Sequence, residues 1–326
     1  MVFLYSSDRN YAKLSMVSIA SLLENNQDAE KIKIYYINNN IGLDYEDKLN
    51  KLVHSFNREI IYIDASTIDT SFIKRTSFAI SGYYRILITE MIQESKIIYL
   101  DCDTVINGSF ADLWNMSLDG FLFGCVKDTV QNYIATSIGQ ENNSYYINSG
   151  FVYMNLQECR NSGFDKKVKD YFAEFEGLIP HHDQGIINAL GYQKMLYLNP
   201  KYNLTSQYLS YSVAQLCKLF SIDNLYSQTE IDIAKQSPVV IHFLNYNYGR
   251  PWEEGCKHPY LYLFEKYSRD YDINIKLRSS SDKFGTKLRK IVFWNFPFCV
   301  HLFIEKYLDR SRKSMFYQTY KKNEKK

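Results

Sequence analysis

The 326-residue sequence is poor in cysteine and contains no Cys-x-x-Cys pair. Its six cysteines, Cys102, Cys125, Cys159, Cys217, Cys256 and Cys299, are widely scattered. That spread argues against a zinc site or a redox pair and fits reduced thiols in a cytosolic protein. The opening Met-Val-Phe-Leu-Tyr has no basic lead and no long apolar core, so no signal peptide is expected. There is no internal repeat, and no low-complexity linker interrupts the chain before about residue 276. One large α/β domain, or a domain with an appendage, is the expected organisation. Tryptophan is scarce as well, with 3 Trp against 29 Tyr. Tyrosine joins a stacking face to a hydroxyl, which suits sugar or base contact, although frequent Ile, Asn and Lys point to codon bias as the source of most of them.

Net charge is also nearly absent, at +2, but its distribution is uneven. Residues 276–326 hold 14 Lys/Arg and 4 Asp/Glu, a net of +10, which leaves the rest of the chain at −8. An acidic body with a basic tail gives the tail, not the body, an anionic surface as its partner, and no nucleic-acid partner is expected.

What is present is an alternation of strands and helices. Val2–Tyr5 reads as a strand ending in polar residues, and Met16, Ile19, Ala20 and Leu23 recur at helical spacing. Lys33–Ile37 and Ile60–Ile63 read as strands around a helix marked by Tyr45, Leu49, Leu52 and Phe56. Tyr84–Ile92 is expected to be helical and to lead into a strand at 97–100. Further strands are expected at Phe121–Val126, Phe151–Met154 and Val239–Phe243, and further helices at Phe164–Phe175 and Asp183–Leu190. This order predicts a mostly parallel sheet with helices on both faces.

The strand at 97–100 runs straight into Asp101-Cys102-Asp103. In open α/β sheets, ligands bind beyond the carboxyl ends of strands. Two adjacent carboxylates repel, and a hard divalent cation relieves that while carrying a phosphate on its far side. The plainer alternative is a polar turn in which Asp101 or Asp103 caps the next segment. Asp8-Arg9-Asn10-Tyr11 follows the first strand, a natural nucleotide seat or, equally, a helix cap. Asn148-Ser149-Gly150 precedes a strand, Asp183-Gln184 opens a helix after His181-His182, and His242 sits near a strand end. Asp183 could equally cap its helix, and His242 could be a hydrogen-bonded core residue.

Taken in order, Asp8-x-Asn10-Tyr11, Tyr84-Arg85, Tyr99-Leu-Asp-x-Asp103, Asn148-x-Gly150, Asp183-Gln184 and His242…Pro251-Trp252 resemble glycosyltransferase family 8 over roughly residues 1–265. The family includes glycogenin and the bacterial lipopolysaccharide galactosyl- and glucosyltransferases. The resemblance implies an A-type glycosyltransferase fold, a Rossmann-like nucleotide-binding mixed sheet flanked by helices. It also implies retaining, Mn²⁺-dependent transfer (Mg²⁺ being the alternative) of a hexose from a UDP-sugar to a glycan or lipid-linked glycan, with an α-linked product. By position, Asp8, Asn10 and Tyr11 would hold uridine, and Asp101, Asp103 and His242 would bind the metal that bridges the UDP diphosphate. Arg85, Asn148 and Asp183 would hold donor-sugar hydroxyls, with Ser149 filling the middle of their Asn-x-Gly motif on the donor side. Gln184 would lie close to the anomeric carbon. Oxygen donors with an imidazole suit Mn²⁺. The segment from His242 to Trp252 is two residues longer than the family pattern, and Arg250 stands where Lys usually contacts the diphosphate, a role Arg can fill bidentately. Asp128 is a candidate for acceptor contact.

Residues 1–275 are therefore expected to be catalytic and 276–326 a basic tail. Its apolar run, Ile291–Ile304, is 14 residues long, short of the ~20 that span a bilayer. Flanking Lys287, Arg289, Lys290, Lys306, Arg310, Arg312 and Lys313 fit a segment lying on the anionic inner face of the cell membrane, with the protein otherwise cytoplasmic. A helix packed on the body is the alternative. Two other functions compete. A haloacid-dehalogenase-type phosphatase would use Asp101 as nucleophile, but it also needs a Gly-Asp-x-x-x-Asp, and no Gly-Asp dipeptide occurs. A non-catalytic membrane-associated sugar-nucleotide-binding protein would not need Asp101, Asp103, Asp183, Gln184 and His242 together.

Overall fold

The computed structural model describes residues 1–73, 79–141, 144–223, 225–280 and 282–320; Ser281 and 321–326 of the expected tail lie outside the described residues. Seven strands form the main sheet: β1 (Val2–Asp8), β2 (Lys33–Asn39), β3 (Glu59–Asp64), β4 (Ile97–Leu100), β6 (Phe123–Lys127), β7 (Ile147–Met154) and β8 (Met195–Tyr197). Three short strands, β5 (Thr104–Ile106), β9 (Leu204–Thr205) and β10 (Val240–His242), form a second sheet. The main order is β3-β2-β1-β4-β7-β6-β8. β1 runs parallel to both β2 and β4, and β7 is antiparallel to β4 and β6. The chain first builds outward from β1 to β3 and then restarts on the other side at β4. The gap between the ends of β1 and β4 is thus the point where strand order reverses, the crevice in which such sheets bind ligands.

Burial explains the pattern. Every residue of β4 and β7 is buried, as a central strand covered on both faces requires. Helix Ala12–Glu24 places Leu14, Val17, Ile19, Leu22 and Leu23 in the core. Tyr5, Tyr36, Tyr153 and Tyr208 are fully buried core residues with satisfied hydroxyls. Tyr5, for instance, shares a hydrogen bond with Ser18 at 3.0 Å.

The segment expected to be helical at Tyr84–Ile92 is a 3-10 helix over Ile80–Ile86 followed by turns. Ile86, Ile88 and Thr89 are β-branched, which disfavours a regular helix. The carbonyls of Thr89 and Ile92 accept from the Arg160 guanidinium at 3.0 and 2.8 Å, not from helical N–H groups. The apolar run of the tail is also broken. Helix Phe284–Asn295 ends, Phe296 turns extended before Pro297, and helix Phe298–Tyr320 follows. Val292 and His301 are buried, His301 against Tyr211 of the body, while Phe284, Phe303 and Tyr307 are exposed. Among the described residues no helix is long and apolar enough to cross a membrane.

Candidate active site

At the end of β1, the Asp8 carboxylate accepts the N–H groups of Asn10 and Tyr11 at 2.9 and 3.1 Å. It closes a turn before the helix and is not the helix cap; that position is Tyr11, which makes no side-chain cap. The turn leaves the Tyr11 ring 36 % exposed at the mouth of a cleft of about 400 Å³. Asp8, Tyr11, Arg85, Tyr99, Asp101 and Asp103 line that cleft.

β4 delivers Asp101, and β5 begins at Thr104, so the chain crosses from one sheet to the other through Asp101-Cys102-Asp103. β10 pairs antiparallel to β5 with His242 opposite Thr104, which sets the imidazole beside both carboxylates. His242 Nε2 lies 3.2 Å from Asp103 and 3.8 Å from Asp101. The ligand atoms of the three residues all fall within 4.8 Å of one another. Asn203 Oδ1 accepts from His242 Nδ1 at 3.0 Å, which fixes the tautomer that leaves Nε2 with a lone pair. Nε2 is buried and its close approach to Asp103 lacks hydrogen-bond alignment, so it has no hydrogen-bond partner among the described residues. Two carboxylates and an oriented, otherwise unpartnered imidazole could hold a divalent cation.

The electrostatics agree. Burial pulls the His242 pKa down, but Asp103, Asp101 and Asp128 outweigh it and the net shift is upward from the ordinary 6.5. Burial raises Asp103, and His242 with Arg250 outweighs it, leaving the carboxyl below its usual range. A metal needs the unprotonated Nε2. Divalent-cation affinity is therefore expected to fall as pH drops through the raised imidazole value. Mn²⁺ titrations between pH 8 and 6 check this, and affinity that strengthened on acidification would contradict it.

Arg85 is buried between acids. Nη1 is 3.0 Å from Asp101 and Nε 3.3 Å from Asp183, while Nη1 also donates to the Ser149 carbonyl at 2.8 Å and the guanidinium lies over Tyr99. Tyr99 donates to Asp101 at 2.6 Å. Burial pushes the Asp183 carboxyl up, and Arg85 offsets only part of that rise. Gln184 is held at both ends: Oε1 accepts the Ser149 N–H at 3.2 Å, and Nε2 donates to Asp128 at 3.0 Å. Asp128 also accepts from Asn148 Nδ2 at 3.2 Å. The rest of the Asn148 amide is taken by Gly150 N–H and Asn203, so this side chain braces the site from behind. Gly150 is required by close approach, because a Cβ there would lie 2.1 Å from His242 Cε1 and 2.9 Å from an Asp101 oxygen.

The fold thus gathers Arg85, Asp101, Asp103, Asn148, Ser149, Asp183, Gln184 and His242 around one end of the sheet. Asp8 and Tyr11 line the adjoining cleft wall, and Asn10 faces a neighbouring cleft. The Arg250 charge acts on Asp103; its Nη1 lies 4.0 Å from Glu253, and its buried Nε has no hydrogen-bond partner among the described residues. The longer His242–Trp252 segment docks on the tail: Asn245 donates to Asp282 at 2.8 Å, and the Asn247 carbonyl accepts from Trp294 at 3.1 Å. Asn203 escapes the sequence reading, and Tyr99 enters it only as part of a motif, without a role. Asn203 joins His242 across 39 residues of chain, and nothing local marks it.

Residues 2–256 match glycosyl transferase family 8. General stress protein A of Bacillus subtilis is 25% identical over 265 residues, 78% of this chain and 88% of the relative. A lipopolysaccharide 1,2-glucosyltransferase of Escherichia coli is 29% identical over 206 residues, 60% of each chain. Among solved structures, the galactosyltransferase LgtC in complex with donor and acceptor sugar analogs superposes with a TM-score of 0.66 at 19% identity, over 83% of this chain and 96% of that one. The glycosyltransferase GlyE of Streptococcus pneumoniae gives 0.60 at 20% identity, over 87% and 66%. These matches leave no place for the phosphatase reading of Asp101: the chain belongs to glycosyl transferase family 8 and has the A-type glycosyltransferase fold.

Proposed function

We propose that the protein moves a hexose, galactose or glucose, from a UDP-sugar to a glycan or lipid-linked glycan with retention of the α configuration. The observation that carries this reading is the convergence of Asp101, Asp103 and the unpartnered His242 Nε2 beside the Asp8–Tyr11 turn. Asp8, Asn10 and Tyr11 hold uridine, the first two by polar contact and Tyr11 by stacking. Asp101, Asp103 and His242 hold Mn²⁺, with Mg²⁺ as the alternative ion. When bound, the cation neutralises charge on the departing UDP. Arg250 faces the diphosphate. Arg85, Asp183, Asn148 and Ser149 shape and orient the donor-sugar side, and Asp128 lies where an acceptor would approach. The lipopolysaccharide 1,2-glucosyltransferase relatives and the LgtC complex with donor and acceptor sugar analogs support a hexose donor and a glycan acceptor.

Gln184 is neutral and pinned by Ser149 and Asp128, and in its helix, His182–Gly191, the one carboxylate is Asp183, which Arg85 holds. A front-face transfer, in which the acceptor hydroxyl attacks on the side the UDP leaves, suits such a site. UDP release from a panel of UDP-sugars with Mn²⁺ tests the function, and the anomeric proton of the product tests stereochemistry; a β linkage would overturn it. Gln184→Ala is expected to lower turnover by roughly 10²-fold, the scale of one lost transition-state contact, with UDP affinity nearly unchanged. Equal losses in both would place Gln184 on the nucleotide.

Residues 1–275 form the catalytic unit, and 276–326 a tail that seats the protein on the inner face of the membrane. Support comes from its net +10 charge and from exposed Phe284, Ile291, Phe296, Phe303 and Tyr307. Co-sedimentation with anionic vesicles, weakening with salt, is the expected result, and equal binding to neutral vesicles would refute it.

A further inference from the structure

Beyond the helix that starts at Ala12, a second cleft of about 220 Å³ opens against the nucleotide turn. Asn10, Lys13, Leu14, Trp252, Ile275, Lys276 and Arg278 line it, with no acidic residue among the described ones. Arg278 belongs to the start of the tail, yet its backbone is stitched to the loop that follows His242. Its N–H donates to the Trp252 carbonyl at 3.1 Å, and its own carbonyl accepts from Glu254 N–H at 3.1 Å. These two bonds fix where the side chain departs. The Lys13 ammonium donates to the Asn274 carbonyl, which ties the same stretch to the first helix. The Arg278 guanidinium itself is exposed and has no hydrogen-bond or carboxylate partner among the described residues. Its charge is felt at the Tyr11 hydroxyl, as are those of Arg250 and Asp103. Two arginine charges therefore act at Tyr11, Arg250 from the loop, whose Nη1 lies 4.0 Å from Glu253, and Arg278 from the tail.

An unpaired guanidinium held by its backbone beside an acid-free cleft is an anion seat. We propose that Arg278 is a donor-binding residue that reaches from the start of the tail to the diphosphate of the sugar nucleotide, alongside Arg250. This inference rests on the UDP-sugar reading of the site. It makes the tail part of the donor site, because removing the chain beyond 275 would remove the guanidinium and the two backbone bonds that brace Trp252 and Glu254.

The test uses the full-length protein with Mn²⁺ and compares UDP with uridine by calorimetry. A charge-assisted hydrogen bond to phosphate is worth roughly tenfold to a hundredfold in affinity. Arg278→Ala is expected to weaken UDP by that factor and to leave uridine unchanged, while Arg278→Lys retains part of the UDP affinity. The side chain is exposed, so the melting temperature of both variants should match the parent. If the parent binds UDP and Arg278→Ala binds it equally well, the inference falls alone. Equal losses for UDP and uridine would also overturn it, by showing a structural role. If the parent binds no UDP, the donor reading falls and takes the inference with it.

Discussion

Asp103→Asn should remove most turnover, a fall on the order of 10²–10³-fold in kcat, the range for losing one well-placed electrostatic group. The substitution keeps the shape and deletes one charge from a set of three ligands. Asp103 is the carboxylate nearest His242 Nε2, at 3.2 Å, and it lies below its usual pKa because that imidazole and Arg250 outweigh its burial. It is therefore ionised at neutral pH and available to a cation. Asn offers one neutral oxygen and an N–H₂ group that the cation repels. Chelation of the unmodified protein should produce the same loss, and added Mn²⁺ should restore it; the same Mn²⁺ concentration should not restore Asp103→Asn. Full activity in excess EDTA, or an Asp103→Asn protein with normal turnover, would remove the metal from the reading.

The parts of this site that lie along the sequence were legible there. An apolar run ending in Asp101-Cys102-Asp103 announces carboxylates at a strand end, and Asp8 to Tyr11 does the same after β1. His242 was legible as a strand residue but not as a ligand from its neighbours alone, because its partner Thr104 in the register is far away in sequence. Asn203 was not legible at all: a two-residue strand follows it, and only the parallel pairing of β9 with β10 brings it under the imidazole. The 84–92 segment misled because helical spacing of apolar residues presumes an exposed polar face. Here residues 86–89 are all buried, and Arg160 satisfies carbonyls that a helix would have paired internally. The tail showed its charge in the sequence but concealed its inner face. His301 is buried against Tyr211, and Glu305, held down to about 2 against burial by His301 and Arg312, joins that contact. Such pairing depends on which side of each helix meets the body, and basic residues on both flanks of the run hide it.

Arg85→Ala should have the largest effect on stability, a loss of about 3–5 kcal/mol, as when one partner of a buried ion pair is removed. The guanidinium is 11 % exposed and touches Asp101, Asp183 and the Ser149 carbonyl at once. Without it, Asp183, whose side chain is 7 % exposed, stays buried with the Ser149 hydroxyl, at 3.2 Å from Oδ2, as its remaining side-chain donor among the described residues. Asp183 is already raised by burial, with Arg85 as the chief restraint. Removing the restraint raises it further, so the folded variant holds a proton that the unfolded chain gives up. A carboxyl raised in the folded state adds no penalty while both states are protonated and penalises folding as pH climbs through the folded value. The deficit of Arg85→Ala should therefore be smallest in acid and largest near neutrality. Denaturant unfolding at pH 5 and pH 8 measures both. The paired change Arg85→Met with Asp183→Asn removes both charges and should recover much of the stability without recovering turnover, because the orienting contacts to Ser149 and Asp101 remain lost. A loss below about 1 kcal/mol for Arg85→Ala, the level of an exposed pair, would show that water reaches these carboxylates and that the arginine does not hold them.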